Sequence, residues 1–169
     1  MNRMKHMLDT MIHKKYILEV GEKVVKRLEE DGKDDLAFEL AKRLIMHDNS
    51  KISKEEITGF IKIENQGDMT DPNKSISEQI KANIEKHWKN NRHHPEHYKD
   101  YHEMKEVDVW EMCCDWYSRS LQHKTDFIPF VLKRQEVRFH FDETFFDNVL
   151  ECCEYIERAC KENKEALKD

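Results

Sequence analysis

Apolar side chains recur at steps of three and four residues along most of this chain, and this spacing constrains the fold more than any other feature. Only four glycines and three prolines occur in 169 residues, which argues against a fold rich in tight turns. The pattern therefore predicts an all-α fold. The clearest stretch lies in residues 3–30 and consists of Met4, Met7, Leu8, Met11, Ile12, Ile17, Leu18, Val24, Val25 and Leu28.

The spacing and the capping residues together predict a bundle of six to seven helices in a single domain over residues 1–169. Gly32 is suited to end the first helix, and Ser53 to precede the third. Asp108 and Asp142 are suited to begin two later helices. The predicted helices cover residues 3–30, 34–46, 54–63, 75 or 77 to 88 or 91, 107–121, 127–132 and 142–167, with a loop over 64–73 and an extended segment allowed at 137–139.

The charge balance limits the partners of the chain. The net charge is −6 with histidine neutral, and an acidic protein is a poor general binder of nucleic acid because phosphate attraction needs a basic face. A small phosphorylated ligand stays compatible with this charge if a metal or local Lys and Arg side chains offset it. No stretch reaches the length of a membrane span, so we expect no membrane partner.

The five cysteines indicate a reduced, cytoplasmic setting. Their number is odd, two pairs are adjacent in sequence, and no CxxC spacing of a zinc ribbon occurs. The N-terminal segment also lacks the unbroken apolar run of a signal peptide. We expect these thiols to pack inside helices as small hydrophobic groups.

The residues best suited to chemistry are the adjacent His47 and Asp48, where the second predicted helix ends. An imidazole and a carboxylate that leave a helix together can turn toward one ion. Imidazole suits Mn, Fe, Co, Ni or Zn, and the carboxylate adds charge and can bridge two ions. Lys51 follows three residues later, and its ammonium could reach a phosphate held by that metal.

Histidines before this pair supply a further candidate ligand. His13 lies 34 residues before His47, and an antiparallel hairpin of the first two helices would bring both near one end. His6 lies one heptad earlier on the same face of the helix and is the alternative.

Histidines after the pair supply more candidates. His87 and His94 are seven residues apart and share a face if the helix continues between them. If residues 90–91 break the helix, His93 is the inward residue instead. Arg92, between these histidines, could stabilise charge on a phosphate, and His93 and His97 could contact a substrate or coat a solvated loop. We expect His102, His123 and His140 to lie on the surface.

Asp115 is the last candidate ligand. It lies between Cys114 and Trp116 on an apolar helical segment, where a carboxylate is costly unless it is paired or bound to a metal. The alternative to metal binding is an ion pair with Arg119, four residues later on the same helix.

The resulting order of His, His-Asp-x-x-Lys, His, His-His and Asp resembles that of the HD-domain superfamily of metal-dependent phosphohydrolases. The resemblance implies an HD-like helical bundle with ligands His13, His47-Asp48 and Asp115. The longer pattern, with Lys51, His87 and His93-His94, is similar to two-metal members such as HD-GYP-type phosphodiesterases. The Gly-Tyr-Pro motif is absent, and Pro95-Glu96-His97 stands there instead.

Two further resemblances bear on the function. Myo-inositol oxygenase-like di-iron enzymes share the order of six ligands. The segment HWKNNRHHPEHY, together with EMCCDW, resembles a small bacterial and phage family that looks related to HD domains and implies no established activity. This last resemblance covers most of the chain.

We therefore expect a metal-dependent phosphohydrolase that acts on a nucleotide or related small phosphoester through metal-activated water. One or two divalent ions of Mn, Co, Fe, Zn or Ni are expected per chain, with Mg as a further candidate. A homodimer is a further hypothesis. The alternatives are a di-iron oxygenase and a non-catalytic nucleotide- or partner-binding module. The expected residues are Asp48 and Lys51 for catalysis; Lys51, Arg92, His93 and His97 for substrate; and His13, His47, Asp48, His87, His94 and Asp115 for metal.

Overall fold

The computed structural model of the protein describes residues 2–65 and 77–165, and within these ranges it contains helices and no strand. This confirms the all-α class and the expected number of helices. The predicted loop lies mostly outside the described residues, as do Ser75 and the predicted end of the last helix near residue 167. The helices are α1 (Arg3–Glu30), α2 (Asp34–Met46), α3 (Ile57–Asn65), α4 (Glu78–Asn90), α5 (Glu106–His123), α6 (Phe127–Arg134) and α7 (Glu143–Glu165).

A tight turn joins α1 and α2 into a hairpin. Gly32 has a φ of 73°, a left-handed conformation that glycine adopts without steric cost. The backbone N–H of Lys33 donates to the carbonyl of Leu28, which closes the C-terminal end of α1. The predicted role of Gly32 is confirmed, and the hairpin brings the end of α2 back toward the first half of α1.

The inward face of α1 changes in character along its length. In the C-terminal half, Ile17, Val20, Val24 and Leu28 are buried in the hydrophobic core that α1 shares with α2, α5 and α7. In the N-terminal half, the buried positions are His6 and His13. The apolar residues around these histidines therefore face outward, and their exposed fractions include 66% at Met4 and 53% at Met11.

Gly21 of α1 packs closely against Leu44 of α2. A Cβ atom built at this position would lie 2.5 Å from Cδ1 of Leu44, which is itself buried. The interior glycine, which weakens a helix by about 1 kcal/mol relative to alanine, is explained by this contact.

The starts of α3 and α5 differ from the predicted ones, whereas those of α4 and α7 agree with the prediction. α3 begins at Ile57, after a turn in which the Ser53 hydroxyl accepts the N–H of Glu56 at 3.3 Å. α5 begins at Glu106, so Asp108 is not the N-cap; its carboxylate instead accepts the N–H of Lys105 at 3.0 Å. Ser77 directly precedes α4, and Asp142 caps α7 as predicted by accepting the N–H of Phe145 at 2.9 Å.

Residues 137–139 are not extended. They belong to a π-helical turn, Gln135–Phe139, that continues from α6. The side chain of Gln135 bonds both the N–H and the carbonyl of Phe141, and these two contacts hold the turn against the chain that follows it.

All five cysteines are buried and unbridged, which confirms that they pack as core residues. Burial raises the pKa of the Cys113 and Cys114 thiols well above their usual value, so both remain protonated. No helix in the described ranges combines the length and apolar character that crossing a membrane requires.

Replacing Gly21 with valine tests the contact between α1 and α2. We expect Gly21→Val to lower the free energy of unfolding by about 1–3 kcal/mol, because the new side chain overpacks against Leu44. In a Leu44→Ala background the valine gains room, so the double variant should be more stable than the sum of the two single effects. Denaturant unfolding of the four proteins measures this coupling, and strict additivity would contradict the close approach.

Candidate metal centre

The backbone turn after α2 places His47 and Asp48 inside the protein. His47 ends the helix, and Asp48 follows in a left-handed conformation with φ 55°, which aspartate tolerates better than most residues. His47 is 2% exposed and Asp48 is 3% exposed. The change of backbone direction therefore buries two adjacent polar side chains at the open end of the α1–α2 hairpin, opposite the turn at Gly32.

Side chains from α1 and α5 meet this pair. His13 Nε2 lies 2.9 Å from Asp115 Oδ1, and His47 Nε2 lies 3.7 Å from the same oxygen. His47 Nε2 is also 3.4 Å from Asp48 Oδ2. One donor atom from each of His13, His47 and Asp48 lies within 4.8 Å of the others, which is close enough for a shared ion. The hairpin thus brings His13 to His47 as predicted.

A second group forms on the other side of Asp48. His87 Nε2 lies 3.3 Å from Asp48 Oδ1 and 3.1 Å from His94 Nε2. Donor atoms of Asp48, His87 and His94 also lie within 4.8 Å of one another. The two oxygens of Asp48 therefore face different sets of histidines, and the carboxylate lies between the two groups.

His93 joins the cluster together with His94. α4 ends at Asn90, so the helix does not continue to His94, and the following turn buries His93 to 2% exposure. His93 Nε2 lies 3.8 Å from Asp48 Oδ1, and His93 groups with His47 and Asp115 within 4.8 Å. The helix break at residues 90–91, for which the sequence predicts His93 as the inward residue, is present. The turn that follows nevertheless brings both His93 and His94 to the centre.

A buried glutamate on α5 holds two of these rings from behind. His47 Nδ1 lies 3.0 Å from Glu111 Oε1, and His93 Nδ1 lies 3.2 Å from the same oxygen. When Nδ1 carries the proton and donates it to a carboxylate, Nε2 keeps its lone pair free for a metal. Glu111 was not predicted, although it lies one turn before Asp115 on the same apolar segment.

Glu56 and Gln122 orient the rings of His87 and His13 in the same way. His87 Nδ1 lies 2.9 Å from Glu56 Oε2, and His13 Nδ1 lies 3.2 Å from Gln122 Oε1. Glu56 is buried and also accepts the Ser50 hydroxyl at 2.9 Å. Glu56 stands in the sequence as one of several acidic residues before α3, and only the fold distinguishes it from its neighbours.

Five buried atoms at the centre make no hydrogen bond to any part of the chain that the structure describes. They are His13 Nε2, His47 Nε2, His93 Nε2, Asp48 Oδ1 and Asp115 Oδ1. Some of them approach each other closely, as His13 and Asp115 do, but without hydrogen-bond geometry. Buried polar atoms without partners are rare and destabilising. Imidazole nitrogens and carboxylate oxygens are ligands of divalent transition metals, so this set can hold a metal ion.

The electrostatics keep two of the donors, Asp48 and His94, in the forms that bind metals, whereas Asp48 and Asp115 raise the pKa of His47 well above its usual value despite burial. Burial raises the pKa of Asp48, but Lys51 and His47 outweigh it and hold the pKa well below its usual value. Burial also lowers the pKa of His94 well below the usual histidine value, with the neighbouring His93 adding to the effect. An ionised carboxylate and a neutral imidazole are the forms that coordinate a metal.

The two alternatives for α1 take different positions. His6 Nε2 lies 3.1 Å from the backbone carbonyl of Lys51, and its ring stacks on Phe60 at 5.6 Å. His6 thereby contacts the segment that carries Lys51, whereas His13 is the residue that groups with His47 and Asp48. The ammonium of Lys51 contacts Asp48 Oδ2 and lies over the ring of Phe60.

The remaining predicted substrate residues lie nearby in different settings. The guanidinium of Arg92 bonds both oxygens of the buried Asp108, at 3.2 and 3.1 Å. His97 packs edge-on against Tyr98, and its Nδ1 is buried without a hydrogen bond to the described residues. Asp115 lies 3.5 Å from Arg119, so the alternative ion pair forms as well as the contacts with the histidines. His102, His123 and His140 are exposed, as predicted.

Divalent metal should stabilise the folded chain, because it satisfies the five unpartnered atoms. At a metal concentration about 100-fold above the dissociation constant, we expect the melting temperature to rise by about 5–10 °C. Thermal melts of chelator-treated protein with and without Mn²⁺, Co²⁺ or Zn²⁺ measure the shift. His47→Ala should abolish it, and His123→Ala, at an exposed position, should leave it intact. An equal shift in the His47→Ala variant would contradict this site.

Comparison with known proteins adds a family and no activity. No curated protein and no solved structure matches the chain. One family model matches residues 2–161, a range that includes every histidine and carboxylate of the centre. The chain therefore belongs to that family, described as a family of unknown function (DUF5662).

Proposed function

We propose that this protein is a metal-dependent phosphohydrolase that acts on a nucleotide or related small phosphoester. The observation that carries the proposal is the ammonium of Lys51 in contact with Asp48, beside a buried cluster of unpartnered histidine and aspartate atoms. A metal site with an adjacent cation suits a phosphate group, whose charge both can neutralise. The order of these residues resembles that of the ligands in the HD-domain superfamily, and we propose that the chain is related to that superfamily.

The chain's residues divide into two sets of ligands around Asp48. His13, His47, Asp48 and Asp115 would hold one divalent ion, and Asp48, His87 and His94 would hold a second. His93, which also faces the centre, would complete either set or contact the substrate. The ions in question are Mn, Co, Fe, Zn, Ni or Mg. When bound, such a metal supplies an activated water molecule and polarises a phosphoryl oxygen.

Lys51 has the role of stabilising negative charge on the phosphate. Its contact with Asp48 keeps the ammonium at the edge of the centre, where a substrate oxygen can replace the carboxylate as its partner. Glu111 and Glu56 orient the imidazoles, and Arg92, held by Asp108, supports the turn that carries His93 and His94.

The decisive test is turnover by metal-loaded protein. We expect phosphate release from nucleotides or small phosphomonoesters with Mn²⁺, Co²⁺ or Fe²⁺, and loss of that release with chelator. Lys51→Gln should lower kcat about 100-fold or more, because it removes a charge-stabilising donor, while the metal content stays unchanged. His102→Gln is the matched control at an exposed position. Absence of turnover with every metal and phosphoester tried would overturn the proposal.

Two rivals use the same cluster differently. Two three-residue groups that share Asp48 also suit a di-iron oxygenase, which would show about two irons per chain, colour and O₂ consumption. A non-catalytic nucleotide- or partner-binding module would keep its ligand after His47 and Asp48 are both replaced by alanine. Elemental analysis and O₂ uptake on the native protein separate these from a hydrolase.

We also propose a homodimer formed through α1. Among the described residues, six of the exposed large apolar side chains lie on this helix: Met4, Met7, Leu8, Met11, Ile12 and Leu18. The exposed Lys5 and Glu19 lie at equal distances in sequence from Ile12. Antiparallel pairing of two copies of α1 about Ile12 would therefore set opposite charges against each other and cover the apolar face.

Charge reversal tests this pairing. Sedimentation should show a dimer for the native chain. Lys5→Glu should weaken the dimer, because the new carboxylate would lie against Glu19 of the second copy. The double variant Lys5→Glu with Glu19→Lys should recover dimer formation. Val137→Glu changes an exposed apolar residue elsewhere and should have no effect. A monomeric native chain, or no recovery in the double variant, would contradict the dimer.

A further inference from the structure

A cavity of about 310 Å³ opens beside the metal centre. Its inner wall includes His93, His94 and Asp115, three residues of the buried cluster. Its outer wall includes three arginines, Arg119 on α5, Arg134 at the end of α6 and Arg138 in the π-helical turn that follows. The volume lies at the lower end of the range of small-molecule pockets, about 300–1,000 Å³.

A larger cavity of about 630 Å³ lies between α5 and α7 and has a different character. Its walls include Trp110, Val149 and Tyr155, and none of the residues of the metal centre lines it. Size alone therefore does not identify the cavity of interest. The smaller one joins a candidate reactive centre to a concentration of positive charge.

Two of the three arginines already have carboxylate partners. Arg138 lies 2.6 Å from Glu96 and stacks on the ring of Phe139. Arg119 lies 3.5 Å from Asp115, a carboxylate that also faces the histidines of the metal centre. Because Asp115 is a candidate metal ligand, its charge is shared and Arg119 is only partly neutralised.

Arg134 has no ion pair with any carboxylate in residues 2–65 and 77–165. Its guanidinium lies over the ring of Phe130, 5.0 Å from the ring centroid. Burial lowers the pKa of Arg134, and the nearby charge of Arg138 lowers it further, yet a guanidinium keeps its proton in proteins. Asp115 and Glu96 attract this cation at longer range, but neither makes an ion pair with it, so the cavity holds a half-buried guanidinium whose hydrogen-bond donors face no carboxylate within 4 Å among the described residues.

We propose that this cavity binds a phosphate group of a small phosphorylated ligand, with Arg134 as the anchoring residue and Arg119 beside it. The ligand would extend from there toward His94 and Asp115. The inference deepens the proposed function, on which it rests for the identity of the reactive centre. Planar guanidinium groups match phosphate oxygens in two-point hydrogen bonds.

The charge of the whole chain strengthens this assignment. The net charge is −6, so the protein as a whole does not favour anions. Three arginines line this one cavity, and the local positive potential that they create can draw an anionic ligand into it despite the net charge. Arg92, the arginine that the sequence suggests for a phosphate, is held by Asp108, whereas Arg134 makes no ion pair with a described carboxylate.

The test measures inorganic pyrophosphate binding by isothermal titration calorimetry, on chelator-treated, dialysed protein at low ionic strength. We expect Arg134→Gln to weaken binding about tenfold or more, as loss of a charge-assisted contact does. Lys133→Gln removes a neighbouring exposed charge of the same helix and should change binding little. Arg134→Lys keeps the charge without the planar group and should lie between these two.

Several results would overturn the inference. They are absence of pyrophosphate binding, equal binding by Arg134→Gln and the native chain, and citrate binding as tight as that of pyrophosphate. Circular dichroism of each variant identifies loss of folding, and in that case Arg134→Lys provides the comparison. Pyrophosphate binding that depends on Arg134 would support the cavity even without turnover. Turnover with unchanged KM in Arg134→Gln would overturn the cavity and leave the proposed reaction intact.

Discussion

The contacts of His47 and His93 with the buried carboxylate of Glu111 are the interactions on which the candidate metal centre depends. Glu111 also lies 3.3 Å from the guanidinium of Arg43, so one side chain joins α2, α5 and the turn after α4. Burial raises the pKa of Glu111, but the two histidines outweigh it and bring the pKa to about 2. The carboxylate stays ionised and fixes two imidazoles with their Nε2 atoms toward the same space.

The polar centre displaces apolar packing from one end of the bundle. The line of buried residues on α1 changes from Ile17, Val20 and Val24 to His13 and His6. Stability then comes from the core at the other end, where α1, α2, α5 and α7 pack together. The buried atoms left without hydrogen bonds weigh against that stability, which is a common feature of ligand-binding sites.

Asp108 shows how the fold assigns roles to charged residues. It is fully buried and receives Arg43, Arg92 and the Tyr98 hydroxyl, so it anchors the turn that carries His93 and His94. Arg92 therefore stabilises the turn that carries His93 and His94, through its ion pair with Asp108. The cations with access to the cavity come from α5, α6 and the turn after α6, which are distant from the His-His pair in sequence.

The sequence by itself determined the all-α class and the order of the helices, and it predicted the candidate histidines and aspartates with His6 or His13, and His93 or His94, left open. These follow from residue spacing and donor chemistry, which are local properties. Only the tertiary structure decided that His93 and His94 both face Asp48, that Glu111 and Glu56 orient the rings, and that Arg134 stands beside the centre. Those relations arise where helices far apart in sequence pack together, and periodicity shows which side of a helix is buried but not what it meets.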